Sequence, residues 1–329
     1  MSGARHRLAG ASRALPWLVT ALCFGYLYLR LDAAAVRSGA EGVPAYLATS
    51  FRKVSWGHWL ALMIPYSGFY FLIDSLVTWR VIRWFNAPVR FRDILPIRGS
   101  AYILSIVNEQ VSKGAIALYL NRRHGVPGWQ VASSMLFIMF CEFYYLLTWA
   151  TIGVLLHRER FPEVFHGIPW MALASAVLLC GVTLFFSREG SGGFRERPIL
   201  HSFRRARAWQ YLALILLRSP ALLAAVWVYS LALELFGVQV GLGEMLGYLP
   251  VIFFGAATPG PMRSVAIVLW VVLFPEHEAE LTIFGFVQHN FFIFFNAAIG
   301  LLFLRRATRD LFSDARSAPE ADPTSTGAS

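Results

Sequence analysis

Apolar residues fall in long unbroken runs, and the charged residues collect between them. Six runs, 14–31, 58–82, 130–157, 168–187, 209–236 and 281–304, have the length that a helix rising about 1.5 Å per residue needs to cross hydrocarbon about 30 Å thick. One such run could be a buried helix of a soluble domain, but six predict an all-α polytopic membrane protein. Two further apolar segments resist that description. Segment 94–120 carries Ser105, Asn108, Glu109, Gln110, Ser112 and Lys113 in its middle, just before Gly114. Segment 245–274 is cut by Thr258-Pro259-Gly260-Pro261 into halves of about 13 residues, each too short to span.

Both segments predict broken or re-entrant helices, hinged at Gly114 and at Pro259, Gly260 and Pro261. Such elements are tolerated only where protein or water covers the freed backbone groups. Entering from opposite faces, they fit inverted repeats, in which substrate sits near the bilayer midplane at the repeat interface. A Pro-Gly-Pro kink that only improves packing is the simpler use of the same residues.

Composition agrees with the pattern: 57% of residues are hydrophobic and 15% are charged, which excludes an ordinary soluble core. The formal net charge of +10 raises nucleic acid as a partner, but the distribution of charge argues against it. Only Lys53 and Lys113 are lysines, and the arginines cluster at the ends of apolar runs, as charges retained on the cytoplasmic side do. A cytoplasmic N-terminus places Arg80, Arg83, Arg90, Arg92 and Arg98 inside. If 94–120 dips in and returns, Arg122, Arg123, the arginine-rich stretch 188–207 and Arg305, Arg306 and Arg309 stay inside too. Glu276, Glu278 and Glu280 then face out. The expectation is a cell-membrane protein with both termini cytoplasmic, a membrane domain over 1–310 and a disordered tail over 311–329. The basic N-terminus followed by an apolar run resembles a signal peptide, but with further spans behind it an uncleaved first helix is expected.

Chemistry has few candidates. Cys23, Cys141 and Cys180 fall in apolar segments without ligand spacing, so free thiols are expected and neither metal nor cofactor is. Nucleotide-binding, zinc-protease and serine-hydrolase motifs are missing, so no enzyme activity is expected. Intramembrane polar groups are what remains. Glu109 and Lys113 stand four apart on one helical face, with Asn108 and Ser112 beside them; they either neutralise one another or line a cavity for a charged headgroup. Glu142 lies mid-span in Phe140-Cys141-Glu142-Phe143-Tyr144, so it is protonated or paired from another helix, with Lys113 and Arg263 as candidates by depth. Arg263, just past the proline break, is equally placed to bind a lipid phosphate or to pair structurally with Glu142. Asp74 is expected to pair locally with Arg80 or Arg83, and Arg218 to snorkel.

Three stretches resemble the membrane region of the lysylphosphatidylglycerol synthase/flippase family, in its stand-alone form without the aminoacyl-transferase domain. They are the segment 108–125 ending in Arg122-Arg123-His124-Gly125, the mid-span Glu142, and Ala257-Thr258-Pro259-Gly260 followed by a last helix with Gly300 and terminal arginines. The chain departs from the family where a Gly-Gly-x-Gly-x-x-Glu motif is expected and Gly260-Pro261-Met262-Arg263-Ser264-Val265-Ala266 stands instead. The resemblance implies a flippase-like carrier of an anionic or polyprenyl-linked lipid, with Asn108, Glu109, Lys113, Glu142 and Arg263 around the headgroup. The alternatives are a non-transporting membrane subunit that organises a lipid- or envelope-synthesis enzyme, and an integral-membrane transferase.

Overall fold

The six long runs all fold as helices, whose ends fall within about three residues of those expected except for the first and the last, which extend well beyond 14–31 and 281–304. A computed structural model describes residues 2–107, 109–187, 197–257 and 264–312, and the side chains of 18–103, 114–186, 197–255 and 264–306. Among the described residues there are twelve α-helices and no strand: α1 (Ser2–Arg37), α2 (Val43–Lys53), α3 (Trp56–Phe85), α4 (Phe91–Val107), α5 (Glu109–His124), α6 (Gly128–Leu156), α7 (Ile168–Ser187), α8 (His201–Arg205), α9 (Ala208–Glu234), α10 (Leu242–Ala257), α11 (Ser264–Leu273) and α12 (Glu278–Phe312). Six helices are long and apolar enough to cross a membrane: Leu18–Arg37, Trp56–Phe85, Gly128–Leu156, Glu163–Phe186, Ala208–Glu234 and Glu278–Arg306. The protein is therefore an all-α, multi-pass membrane protein. The tail expected over 311–329 begins inside α12, and from residue 313 it lies outside the described residues.

The two anomalous segments become pairs of short helices, α4 with α5 and α10 with α11. Each pair is flanked by long helices, so that α3 to α6 and α9 to α12 share one order: long helix, two short helices, long helix. Packing repeats the order in crossed form. The most extensive partner of α4 is α12, that of α10 is α6, and α3 packs along α9. Prolines sit inside both first helices, Pro65 of α3 and Pro220 of α9, and inside both leading short helices, Pro96 of α4 and Pro250 of α10. Small residues make the crossings possible. A Cβ on Gly153 of α6 would lie 2.2 Å from Gly247 Cα of α10, and a Cβ on Gly300 of α12 would lie 3.1 Å from the Gly99 carbonyl oxygen of α4. Close backbone approach of this kind is how helices gain contact where lipid removes the hydrophobic drive between them.

Chain reversals follow local chemistry. Gly125 takes a left-handed φ of 63° after α5, its N–H bonding Asn121 O at 3.0 Å while Val126 N–H reaches Leu120 O at 3.3 Å. That is the hydrogen-bond pattern by which glycine closes a helix, and Pro127 then prevents its continuation. Before α9, the short helix α8 is pinned into the bundle. His201 Nε2–H donates to Phe85 O (3.1 Å), Ser202 N–H to Ser133 Oγ (2.8 Å), and Ser134 Oγ–H to Asn86 Oδ1 (2.6 Å), leaving His201, Ser202 and Phe203 buried.

Two apolar cores divide the bundle. Along α3, Trp59, Met63 and Tyr66 join one core while Val77, Val81, Ile82 and Phe85 join the other. Along α6 the division falls between Cys141 and Tyr145, and along α9 between Leu214 and Leu222. Asp74, Glu142 and Arg218 occupy those three intervals.

Candidate functional site

Charges inside a span have no water to solvate them, so their partners decide whether the fold tolerates them. Asp74, 4% exposed, has three donors. Arg98 Nε–H reaches Asp74 Oδ2 at 2.6 Å, Tyr102 O–H reaches the same oxygen at 2.8 Å, and Arg218 Nη2–H reaches Oδ1 at 3.3 Å. Arg98 and Tyr102 are four apart on α4 and therefore share a face, with the guanidinium 5.0 Å from the centre of the phenol ring. Helix α4 thus grips Asp74 of α3 with two groups from adjacent turns.

The chain of charges continues through Arg218 of α9, whose Nη1–H donates to Glu142 Oε1 of α6 at 2.7 Å. About two turns along α6 from this contact, Trp149 Nε1–H donates to Ser219 Oγ at 2.9 Å and holds the same two helices together. Four helices therefore meet in the sequence Arg98, Asp74, Arg218, Glu142, with two guanidinium groups and two carboxylates whose formal charges cancel. Cancellation matters because an unpaired buried ion costs several kcal/mol.

Helix geometry places the group deep. Glu142 has fourteen residues on either side within α6, or about 21 Å of helix each way. Asp74 lies eleven residues, about 16 Å, from the end of α3, and Arg218 lies ten residues, about 15 Å, from the start of α9. Exposure is uneven along the chain of charges: the Glu142 side chain is 38% accessible, against 5% for Asp74 and 10% for Arg218. The network is closed at Asp74 and open at Glu142.

Of the site residues expected from sequence, Glu142 is in this cluster. Glu109 and Lys113 lie one turn apart in α5, as their spacing requires, but their side chains lie outside the described residues. Asn108, Pro259, Gly260, Pro261 and Arg263 lie outside them altogether. Gly114 sits within α5, so the helix runs through the residue expected to hinge it. A single interior glycine costs only about 1 kcal/mol relative to alanine, which the apolar turns after it outweigh.

Three members of the cluster are assigned differently by sequence. Asp74 pairs with Arg98 and Arg218 rather than with Arg80 or Arg83; Arg80 instead lies over Trp84 (5.3 Å) and Arg83 over Trp79 (5.4 Å). Arg218 does not snorkel but is 8% exposed, and Arg98 belongs to the buried site rather than to a loop. Depth was the available signal. An aspartate about 16 Å from its helix end cannot be capped at the membrane face. Compared with known proteins, the chain matches no family model, no curated protein and no solved structure.

Proposed function

We propose that this protein is a flippase-like membrane carrier of an anionic or polyprenyl-linked lipid, and that the headgroup crosses at the charged seam between the two apolar cores. One observation carries the reading: a neutral network of four ions at mid-span depth ends in a carboxylate that is 38% accessible. A half-open ion at that depth is tolerated beside a water-reaching cavity and disfavoured against hydrocarbon. The crossed packing of α3–α6 with α9–α12 supports it. If each short-helix pair returns to the face it entered, the six spans give these two units opposite orientation, the arrangement in which carriers place substrate between repeats. Both termini then lie on the cytoplasmic side with the arginine-rich connections. The resemblance to the lysylphosphatidylglycerol synthase/flippase region points the same way.

Helix α7 favours a second reading, a non-transporting subunit that organises a lipid- or envelope-synthesis enzyme. None of its apolar window is buried in the protein, and it stands outside both repeated units. Reconstitution separates the two. Purified protein in liposomes containing fluorescent phosphatidylglycerol is expected to expose inner-leaflet probe to dithionite faster than protein-free vesicles do; equal rates would leave the subunit reading.

A further inference from the structure

The two carboxylates of the network are held very differently, and the difference assigns them different work. Asp74 is fixed by three donors from two helices and is almost wholly buried. Glu142 has one hydrogen bond to the network, from Arg218 Nη1, and is the most accessible of the four ions. Between them, Arg218 is nine-tenths buried, and its Nε–H has no hydrogen-bond partner among the described residues. A buried guanidinium donor without an acceptor is unusual, because desolvation without a replacement bond is costly.

We propose that Arg218 is an exchangeable anion site, at which the phosphodiester oxyanion of an amphipathic ligand displaces Glu142 while Asp74 stays in place. This rests on the carrier reading and names the ligand chemistry of the same centre. Three features fit it. Departure of Glu142 frees Nη1–H, a charge-assisted donor at the end of the planar guanidinium from which a phosphate oxygen can accept, and the unpartnered Nε–H leaves the group's donor capacity unfilled by the protein. A phosphodiester carries one negative charge, so exchanging it for one carboxylate leaves the network neutral, whereas a dianionic phosphate monoester would not. Glu142, released, already has an accessible path away from the protein interior. Glu142 is then the occupant of the site when no ligand is bound, and the ligand competes with it.

Competition makes a prediction that a purely structural ion pair does not. Full-length protein in dodecyl maltoside is titrated calorimetrically, at a fixed pH acidic enough to keep inorganic phosphate mostly monoanionic, with dioctanoyl phosphatidylglycerol, with inorganic phosphate, and with dioctanoylglycerol as the uncharged control. Phosphatidylglycerol is expected to bind and dioctanoylglycerol is not. Glu142→Gln, which leaves Arg218 paired to Asp74, should tighten phosphatidylglycerol binding by roughly tenfold because the competing charge is gone. Arg218→Lys, which keeps the charge and loses the planar fork, should weaken it by roughly tenfold. Binding of inorganic phosphate with the same response to both variants supports the site and identifies free phosphate as sufficient; binding of phosphatidylglycerol alone identifies a lipid headgroup. If Arg218→Lys does not survive purification, Glu142→Gln decides. Affinity that is unchanged or weaker in Glu142→Gln, or equal binding of dioctanoylglycerol, overturns the proposal. Lipid translocation by a protein that fails this titration would leave the carrier reading standing without the exchange, and a passed titration without translocation would do the reverse.

Discussion

Arg218 of α9 stands between two carboxylates, 2.7 Å from Glu142 Oε1 on α6 and 3.3 Å from Asp74 Oδ1 on α3. Removing it should therefore be worse than removing either neighbour. Arg218→Met is expected to destabilise the protein by about 3–5 kcal/mol, the usual cost of leaving a buried ion uncompensated. The half-open Glu142 can recover some solvation, so the loss should fall at the lower end. Adding Glu142→Gln should restore part of it, since Asp74 keeps Arg98 and Tyr102. Thermal unfolding of both variants in detergent checks this, and equal melting temperatures for single and double variants would remove the coupling.

The glycine crossings predict an ordered pair of effects. Gly153→Ala drives its new Cβ to 2.2 Å from Gly247 Cα, a backbone atom that cannot move without displacing α10. Gly300→Ala meets Ile103 Cγ1 at the same distance, but that is a side chain with other rotamers. Both should destabilise, by about 1–3 kcal/mol as overpacking does, with Gly153→Ala the larger. A larger loss for Gly300→Ala would contradict the arrangement of α6 against α10.

His201 gives a pH dependence of known sign. Burial holds its imidazole below the ordinary histidine value, and the positive charges of Arg205 and Arg204 add to this, while the hydrogen bond to Phe85 O opposes it in part. The folded state therefore prefers the neutral ring. Its contribution to stability is complete above the unfolded value of about 6.5 and is lost as pH falls below it. Melting temperatures should decline on acidification from pH 7.5 to pH 5.5, to be measured against His201→Gln, which keeps a donor for Phe85 O and should flatten that part of the slope.

Topology can be tested separately from function. Cysteines placed at Arg90, before α4, and at Arg122, after α5, should be labelled from the same side of the membrane, and one at Glu276 from the other. Arg90 and Arg122 on opposite sides would mean that α4 and α5 do not return to the face they entered.

Much of the fold was legible because bilayer thickness dictates run length, and run length survives in a single sequence. That segments 94–120 and 245–274 would not be single spans was legible for the same reason, since a run that is too polar or too short in the middle cannot span; the hinge expected at Gly114 was not, because the helix runs through it. The crossing of the two units was not, because α4 against α12 and α10 against α6 are contacts between segments remote in sequence, marked only by Gly99, Gly300, Gly153 and Gly247. At the site, Glu142 stood out because its own helix offers it no cation within reach. Asp74 and Arg218 each admitted a local explanation, and local explanations hide partners that are 144 positions apart.

If lipid crosses at the charged seam, translocation by the wild type and by Glu142→Gln in matched liposomes must differ. Both proteins should be recovered equally folded, since Arg218 keeps Asp74 in the variant. The wild type is expected to move fluorescent phosphatidylglycerol between leaflets, and Glu142→Gln to move it about tenfold more slowly because the charge that expels the ligand is gone. A Gln variant that translocates at the wild-type rate, or a wild type indistinguishable from protein-free vesicles, would contradict the account.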